Sequence, residues 1–202
     1  ATISVLTGVN RGIRILSELN MRLTMLILAL FFVFGPTAYL LSSLGSNTLD
    51  YLANAPALGA WLAPAQHSQW QSDWTIFYWG WWIAWSPFTG IFIARISRGR
   101  TIREFLLGVL GAPAVLTILW ITIFGNTAMH IELFGDGGVA AAVNADRTTA
   151  LFKTIELMDL GLWLTAAMAT ICTVMLVTYF VTSADSATLV ICTLVAMGDN
   201  NP

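Results

Sequence analysis

The stretch WTIFYWGWWIAWSPFTGIFIARISRGR, residues 74–100, decides how the chain is read. Its first fifteen positions hold five tryptophans and no charge, and four arginines, Arg95, Arg98, Arg100 and Arg103, follow within nine residues. An uncharged run of about 20 residues covers a hydrocarbon core of roughly 30 Å as a helix. Similar runs recur near residues 23–44, 105–125 and 161–183, so four membrane spans are expected, with 74–94 as the second. The whole chain agrees: 57% of its 202 residues are hydrophobic and 10% charged, against roughly 25% charged in soluble domains. The expected class is an all-α integral membrane protein.

The basic residues report topology. Arg11, Arg14 and Arg22 precede the first span and the four arginines above lie between the second and third, in the loop 95–104. Only Arg147 and Lys153 fall on the other side. Cytoplasmic loops carry the excess of Lys and Arg, so that side and both chain ends are expected in the cytoplasm. A net charge of -2 offers nothing to nucleic acid. Cys172 within the last span and Cys192 beyond it give little support for a disulfide. The chain lacks an initiator methionine and reads as an internal piece of a longer protein.

Residues 3–19 have helical apolar spacing and suit a cytoplasmic or interfacial helix. Gly35-Pro36 is expected to bend the first span, since proline removes a backbone donor. The stretch from Gly45 to Asp73 is expected at the outer surface, with Trp61 and Trp70 as interfacial anchors. FGDGG, residues 134–138, follows no strand and lacks a GK[ST] ending, so it reads as a turn and not as a phosphate loop.

On a helix advancing 100° per residue, Tyr78, Trp81, Trp82, Trp85, Phe88 and Phe92 point to about 40°, 340°, 80°, 20°, 320° and 0° from Trp74. Interfacial belting explains Trp74 and Tyr78. Trp81, Trp82 and Trp85 lie about 10–17 Å further along the axis, near the midplane, where helix packing favours small residues. Indoles gathered there suit a box for a quaternary ammonium group, which has no N–H to donate and binds through ring faces. Gly80, Ser86-Pro87 and Gly90 lie in the same helix, and Pro87 leaves the Ile83 carbonyl without its usual donor. His67 and His130 stand apart from other metal-binding side chains, so no metal site is expected. No Ser–His pair or convergent acid–base pair marks an enzyme. Thr182 and Ser183 offer hard oxygens near the end of the last span, although capping a following helix over 186–197 competes with that use. Asp185 is an acid near membrane depth, for which capping or an ion pair with a cytoplasmic arginine competes with a functional role.

These residues resemble the betaine/choline/carnitine transporter family. The resemblance is carried by residues 74–105, by GVNRGIRILS before the first span, by IFGNTA after the third and by VTSADS at 181–186. It implies a fragment, roughly the seventh to tenth of twelve transmembrane helices, of a secondary transporter built from two inverted five-helix repeats of the leucine-transporter type. The membrane implied is the bacterial inner membrane. By the same resemblance Trp81, Trp82 and Trp85 cage the cation of a small onium osmolyte such as betaine, choline or carnitine, while Phe88 and Phe92 line the path inward. In sodium-coupled members Tyr179, Thr182 and Ser183 belong to one sodium site and Phe88 lies by a second. No cofactor is implied; transport would be driven by sodium as a coupling ion, by protons or by exchange against another onium compound, and the family implies a homo-oligomer, a trimer. A receptor or channel that binds the same cation without coupled transport is the alternative.

Overall fold

The computed structural model describes residues 9–62, 64 and 68–196, and among them every element is helical. Helix α1 spans Val9–Phe34 and α2 spans Thr37–Gly59. Helix α3, Phe77–Ile96, continues without a break from the short turn Ser68–Trp70 and a π-helical turn Gln71–Ile76. Helix α4, Ile102–Phe134, carries π-helical turns at Leu107–Gly111 and Ile121–Gly125. Then follow α5 (Val139–Ala145), a 3-10 turn Arg147–Thr149, α6 (Ala150–Leu157) and α7 (Leu162–Val195).

Three helices among the described residues have the length and composition to cross a membrane: Arg14–Phe34, Ile102–Phe134 and Leu162–Cys192. Helix α3 is long enough and free of charge up to Arg95. Its indoles, Ser86 and Pro87 lower its mean hydropathy, because each indole carries a polar N–H beside its apolar rings.

The stretch 23–44 falls on two helices instead of one bent helix. Pro36 has no N–H for the Phe32 carbonyl, and that carbonyl takes the Thr37 hydroxyl at 2.7 Å instead. Gly35 makes the break possible, since a Cβ there would press on the Phe31 carbonyl and approach Thr127 Oγ1 at 3.3 Å. Residues 37–44 thus join the segment up to Gly59 as one helix.

The other end of α1 also differs from expectation. It runs from Val9 straight into the apolar segment, so residues 9–19 are not a separate helix. Residues 3–8 lie outside the described residues. At the far end of the chain α7 is unbroken from Leu162 to Val195, and no new helix starts at 186. Thr182, Ser183 and Asp185 are therefore interior positions of a helix and cap nothing.

The core joins α1, α4, α6 and α7 through Ile27, Phe31, Ile155, Met168, Cys172 and Met175, with Trp120, Ile123 and Phe124 packed around them. Phe31 meets Phe124 edge-on with ring centroids 4.4 Å apart. Against lipid, burial of apolar surface drives little association, so close packing and interhelical hydrogen bonds must hold such a seam. Two such bonds fix α1 against α7: Asn20 Nδ2 donates to Thr182 Oγ1 at 3.4 Å, and the Thr24 and Tyr179 hydroxyls meet at 2.6 Å. As the number rises along α1 it falls along α7, so the two helices are antiparallel.

The connection between α4 and α5 is organised by one carboxylate. Gly137 and Gly138 adopt φ values of +70° and +99°, a left-handed region open chiefly to glycine. The chain thereby doubles back, and Glu132 Oε2 accepts from the backbone N–H groups of Val139 at 2.8 Å and Ala140 at 3.1 Å. FGDGG is a turn, as its residues indicate.

Candidate functional site

The tryptophan helix carries its rings as a ladder. Trp81 and Trp85 have centroids 6.3 Å apart at 32°, and Trp85 and Phe88 stack at 5.7 Å and 28°. Phe77 extends the ladder to Trp81 at 6.1 Å. At its N-terminal end Trp74 stacks on Tyr78 at 5.9 Å and 4°, and the Arg147 guanidinium lies 5.3 Å over the Trp74 ring. The π-helical turn ends at Ile76. The angles among residues 77–96 are therefore those of a regular helix, while Trp74 stands one inserted residue out of phase with them.

Helix α3 passes Pro87 without unwinding. The carbonyl that proline deprives, that of Ile83, accepts the Ser86 hydroxyl at 3.0 Å. A local hydroxyl thus replaces the missing backbone donor, which is how a proline is accommodated where no water reaches the backbone.

Between α3, α7 and the start of α1 lies a cavity of about 300 Å³. One wall is aromatic, from Trp85, Phe88 and Phe92, with Thr89 beside them. The opposite wall is hydroxyl-bearing, from Thr182, Ser183 and Ser186 of α7 and Ser17 of α1. Residues 88 and 92 project one turn and two turns past Trp85 on the same side of α3, which is why rings so far apart in sequence share a wall. The wall is uncharged, so its chemistry toward a ligand is ring faces on one side and lone pairs on the other.

Of the residues singled out from sequence, this cavity brings together Trp85, Phe88, Phe92, Thr182 and Ser183. Trp81 and Trp82 do not line it. They are 55% and 60% exposed, because no described helix packs on that part of α3. Tyr179 turns the other way, toward a second cavity walled by Ile27, Trp120, Phe124, Leu151, Cys172, Met175 and Leu176, and is held by Thr24.

The sequence reading passed over the α1 partners. Asn20 and Thr24 are 3% and 1% exposed, and their spacing of four, placing two polar side chains on one face of an apolar helix, is the signal that was available. His130 belongs to an aromatic group with Tyr39 and Phe134 at 5.1 and 5.3 Å. No cluster of metal-binding side chains occurs among the described residues, and His67 lies outside them. Cys172 is buried, Cys192 is exposed, and both are free thiols. Asp185 pairs with no arginine among the described residues.

Comparison with known proteins bears directly on this arrangement. The family model described as "BCCT, betaine/carnitine/choline family transporter" matches residues 1–202. An uncharacterized transporter of Mycobacterium tuberculosis is 43% identical over 202 residues, which is all of this chain and 33% of that protein. The glycine betaine transporter OpuD of Bacillus subtilis is 41% identical over 202 residues, covering 99% of this chain and 38% of the relative. The ectoine/hydroxyectoine transporter of Virgibacillus pantothenticus is 40% identical over 200 residues, covering 99% and 39%. The chain thus spans between a third and two fifths of the length of these relatives. Members of this family are multi-pass cell-membrane transporters and not enzymes, and with the match running from the first residue to the last, the chain belongs to the betaine/carnitine/choline family of transporters.

Proposed function

We propose that the protein containing this chain performs secondary active transport of a small quaternary ammonium or related onium osmolyte by alternating access. The observation that carries this reading is the cavity with Trp85, Phe88 and Phe92 on one wall and Thr182 and Ser183 on the other. A permanent cation binds ring faces, and a small hard ion binds hydroxyl and carbonyl oxygen. A volume of about 300 Å³ suits a small solute, being at the low end of the range for small-molecule sites.

In this reading Trp81, Trp82 and Trp85 hold the onium group near the midplane, and Phe88 and Phe92 line its way to the cytoplasm. The exposed rings of Trp81 and Trp82 are the half of a cage whose other half belongs to the rest of the protein. Sodium is the coupling ion, held at Thr182 and Ser183, with the Tyr179 backbone and Phe88 nearby. The relatives named for glycine betaine, ectoine/hydroxyectoine and choline transport support an osmolyte of this class. Four membrane spans, the first of them carried by α1 and the others near 74–94, 105–125 and 161–183, both ends in the cytoplasm and a trimeric assembly belong to the same reading.

The test uses the full-length protein in proteoliposomes with labelled betaine and choline. Desolvated cation–π contacts of about 2 kcal/mol or more correspond to a loss of roughly 30-fold in affinity per ring. Trp82→Ala and Trp85→Ala should each abolish measurable uptake. Undiminished affinity and uptake in both variants would remove the cage assignment, and binding without sodium- or proton-driven accumulation would favour a receptor.

A further inference from the structure

Three acceptor oxygens on the α1–α7 seam have no donor among the described residues: Asn20 Oδ1 and both carboxylate oxygens of Asp185. Both side chains are well over nine-tenths buried, at 3% and 4% exposed, and Asp185 is the one charged side chain buried among the described residues. The seam itself ties them together. Asn20 donates to Thr182, and Asp185 lies three residues beyond Thr182 on the same unbroken helix, about one turn along.

The hydroxyls around them do not supply the missing protons. Thr182 gives its proton to the carbonyls of Tyr179 and Thr178, at 3.0 and 3.2 Å, and Ser186 gives its own to the Thr182 carbonyl at 2.9 Å. Their outward-facing capacity is therefore lone pairs. The charged side chains described on the elements packed here are engaged or exposed. On α1, Arg14 pairs with Glu18 at the surface and Arg22 is exposed. On α6, Lys153 pairs with Glu156. From Phe77 to Ala94, α3 holds one ionisable side chain, Tyr78, at its outer end. Of the other titratable side chains of the seam, Tyr179 is bonded to Thr24 and Cys172 lies in the core with Ile27 and Phe31.

Buried acceptors without donors, a carboxyl about one turn from an amide oxygen on the same seam, call for a cation. A single charge matches a monovalent ion, and three oxygens exceed what one proton bridges. Oxygen ligands select a hard ion. We propose that Asp185 and Asn20 hold a sodium ion on the α1–α7 seam, one helical turn beyond the Thr182 and Ser183 hydroxyls. The inference rests on the sodium-coupled reading above and adds to it a second, carboxylate-bearing station.

The experiment measures binding of radioactive sodium to the purified full-length protein, without solute, in wild type, Asp185→Asn, Asp185→Glu, Asn20→Ala and Thr182→Ala/Ser183→Ala. Elution profile and circular dichroism show which variants are folded. Asp185→Asn should bind sodium about 10–100-fold more weakly, Asp185→Glu should retain part of the affinity, and Asn20→Ala should fall between. Trp85→Ala should keep sodium binding, which separates this station from the solute cage. If Asp185→Asn binds sodium like wild type while the hydroxyl double variant does not, the proposal is overturned and the hydroxyl site stands. If wild type binds no sodium and a pH gradient drives uptake that Asp185→Asn abolishes, the carboxyl carries a proton, and this proposal and sodium coupling both fail while the cage is untouched.

Discussion

At the scale of single residues, a few side chains settle the local structure, each for a stated reason. Gly35 is one, because the atom a side chain would meet is the backbone carbonyl of Phe31, which cannot rotate away. Gly35→Ala should therefore destabilise the full-length protein by about 1–3 kcal/mol, as overpacking does, and thermal unfolding in detergent would register it. An unchanged midpoint would mean the α1–α2 break relaxes freely. Glu132 is another, holding two N–H groups at the start of α5. Glu132→Ala should cost about 1 kcal/mol, in line with lost helix caps, and should speed hydrogen exchange at Val139 and Ala140 before any effect on α7. Trp85 is the residue at which the aromatic ladder enters the cavity, so it unites the two features that the functional reading needs.

At the scale of elements, proline has two outcomes here, and the residue before it, Ser86 or Gly35, decides between them. In α3 the Ser86 hydroxyl takes the carbonyl freed by Pro87, and the helix continues. At Pro36 the preceding glycine lets the chain leave the helix, and Thr37 takes the Phe32 carbonyl from the start of the next one. Thr37→Val keeps the shape but removes that donor. It should lower stability by about 1 kcal/mol, and a result equal to wild type would indicate that another group satisfies Phe32. The turn Arg147–Thr149 offers a pH test. Hydrogen bonds from the Thr148 hydroxyl and backbone N–H hold the Asp146 carboxyl below its ordinary range. With the folded value below the unfolded one, this turn is fully stabilised above about pH 4. The support is lost as pH falls through the depressed value. Protection of the Thr148 amide, taken relative to its intrinsic exchange rate at each pH, should fall only on that acid side, and a loss of protection near neutrality would contradict it.

At the scale of the whole molecule, the arginine distribution and the antiparallel seam make a joint prediction. With Arg98, Arg100 and Arg103 in the cytoplasm, a cysteine replacing Arg100 should resist an impermeant thiol reagent added to intact cells. One replacing Asp136 should react, in a background of Cys172→Ser and Cys192→Ser. The reverse pattern would invert the membrane orientation and with it the direction of the path past Phe88 and Phe92. For coupling, sodium and pH gradients imposed separately should show sodium-driven uptake that Thr182→Ala/Ser183→Ala loses. Retained sodium dependence would move the ion elsewhere.

The linear chain by itself determined the class, the family and the residues worth watching. Membrane helices, a turn at FGDGG and an aromatic face around Trp81, Trp82 and Trp85 follow from periodicity, uncharged length and residue chemistry, all of which are local. What only the tertiary structure decided depends on contacts between distant segments. The break that Pro36 makes in 23–44 is packed against a distant segment, with Gly35 close to Thr127 of α4. Trp85 shares a cavity with Thr182 and Ser183, and Asn20 bonds to Thr182, across sequence separations that no periodicity encodes. The orphaned oxygens of Asp185 and Asn20 are of the same kind, since whether a polar group is satisfied depends on its neighbours in space.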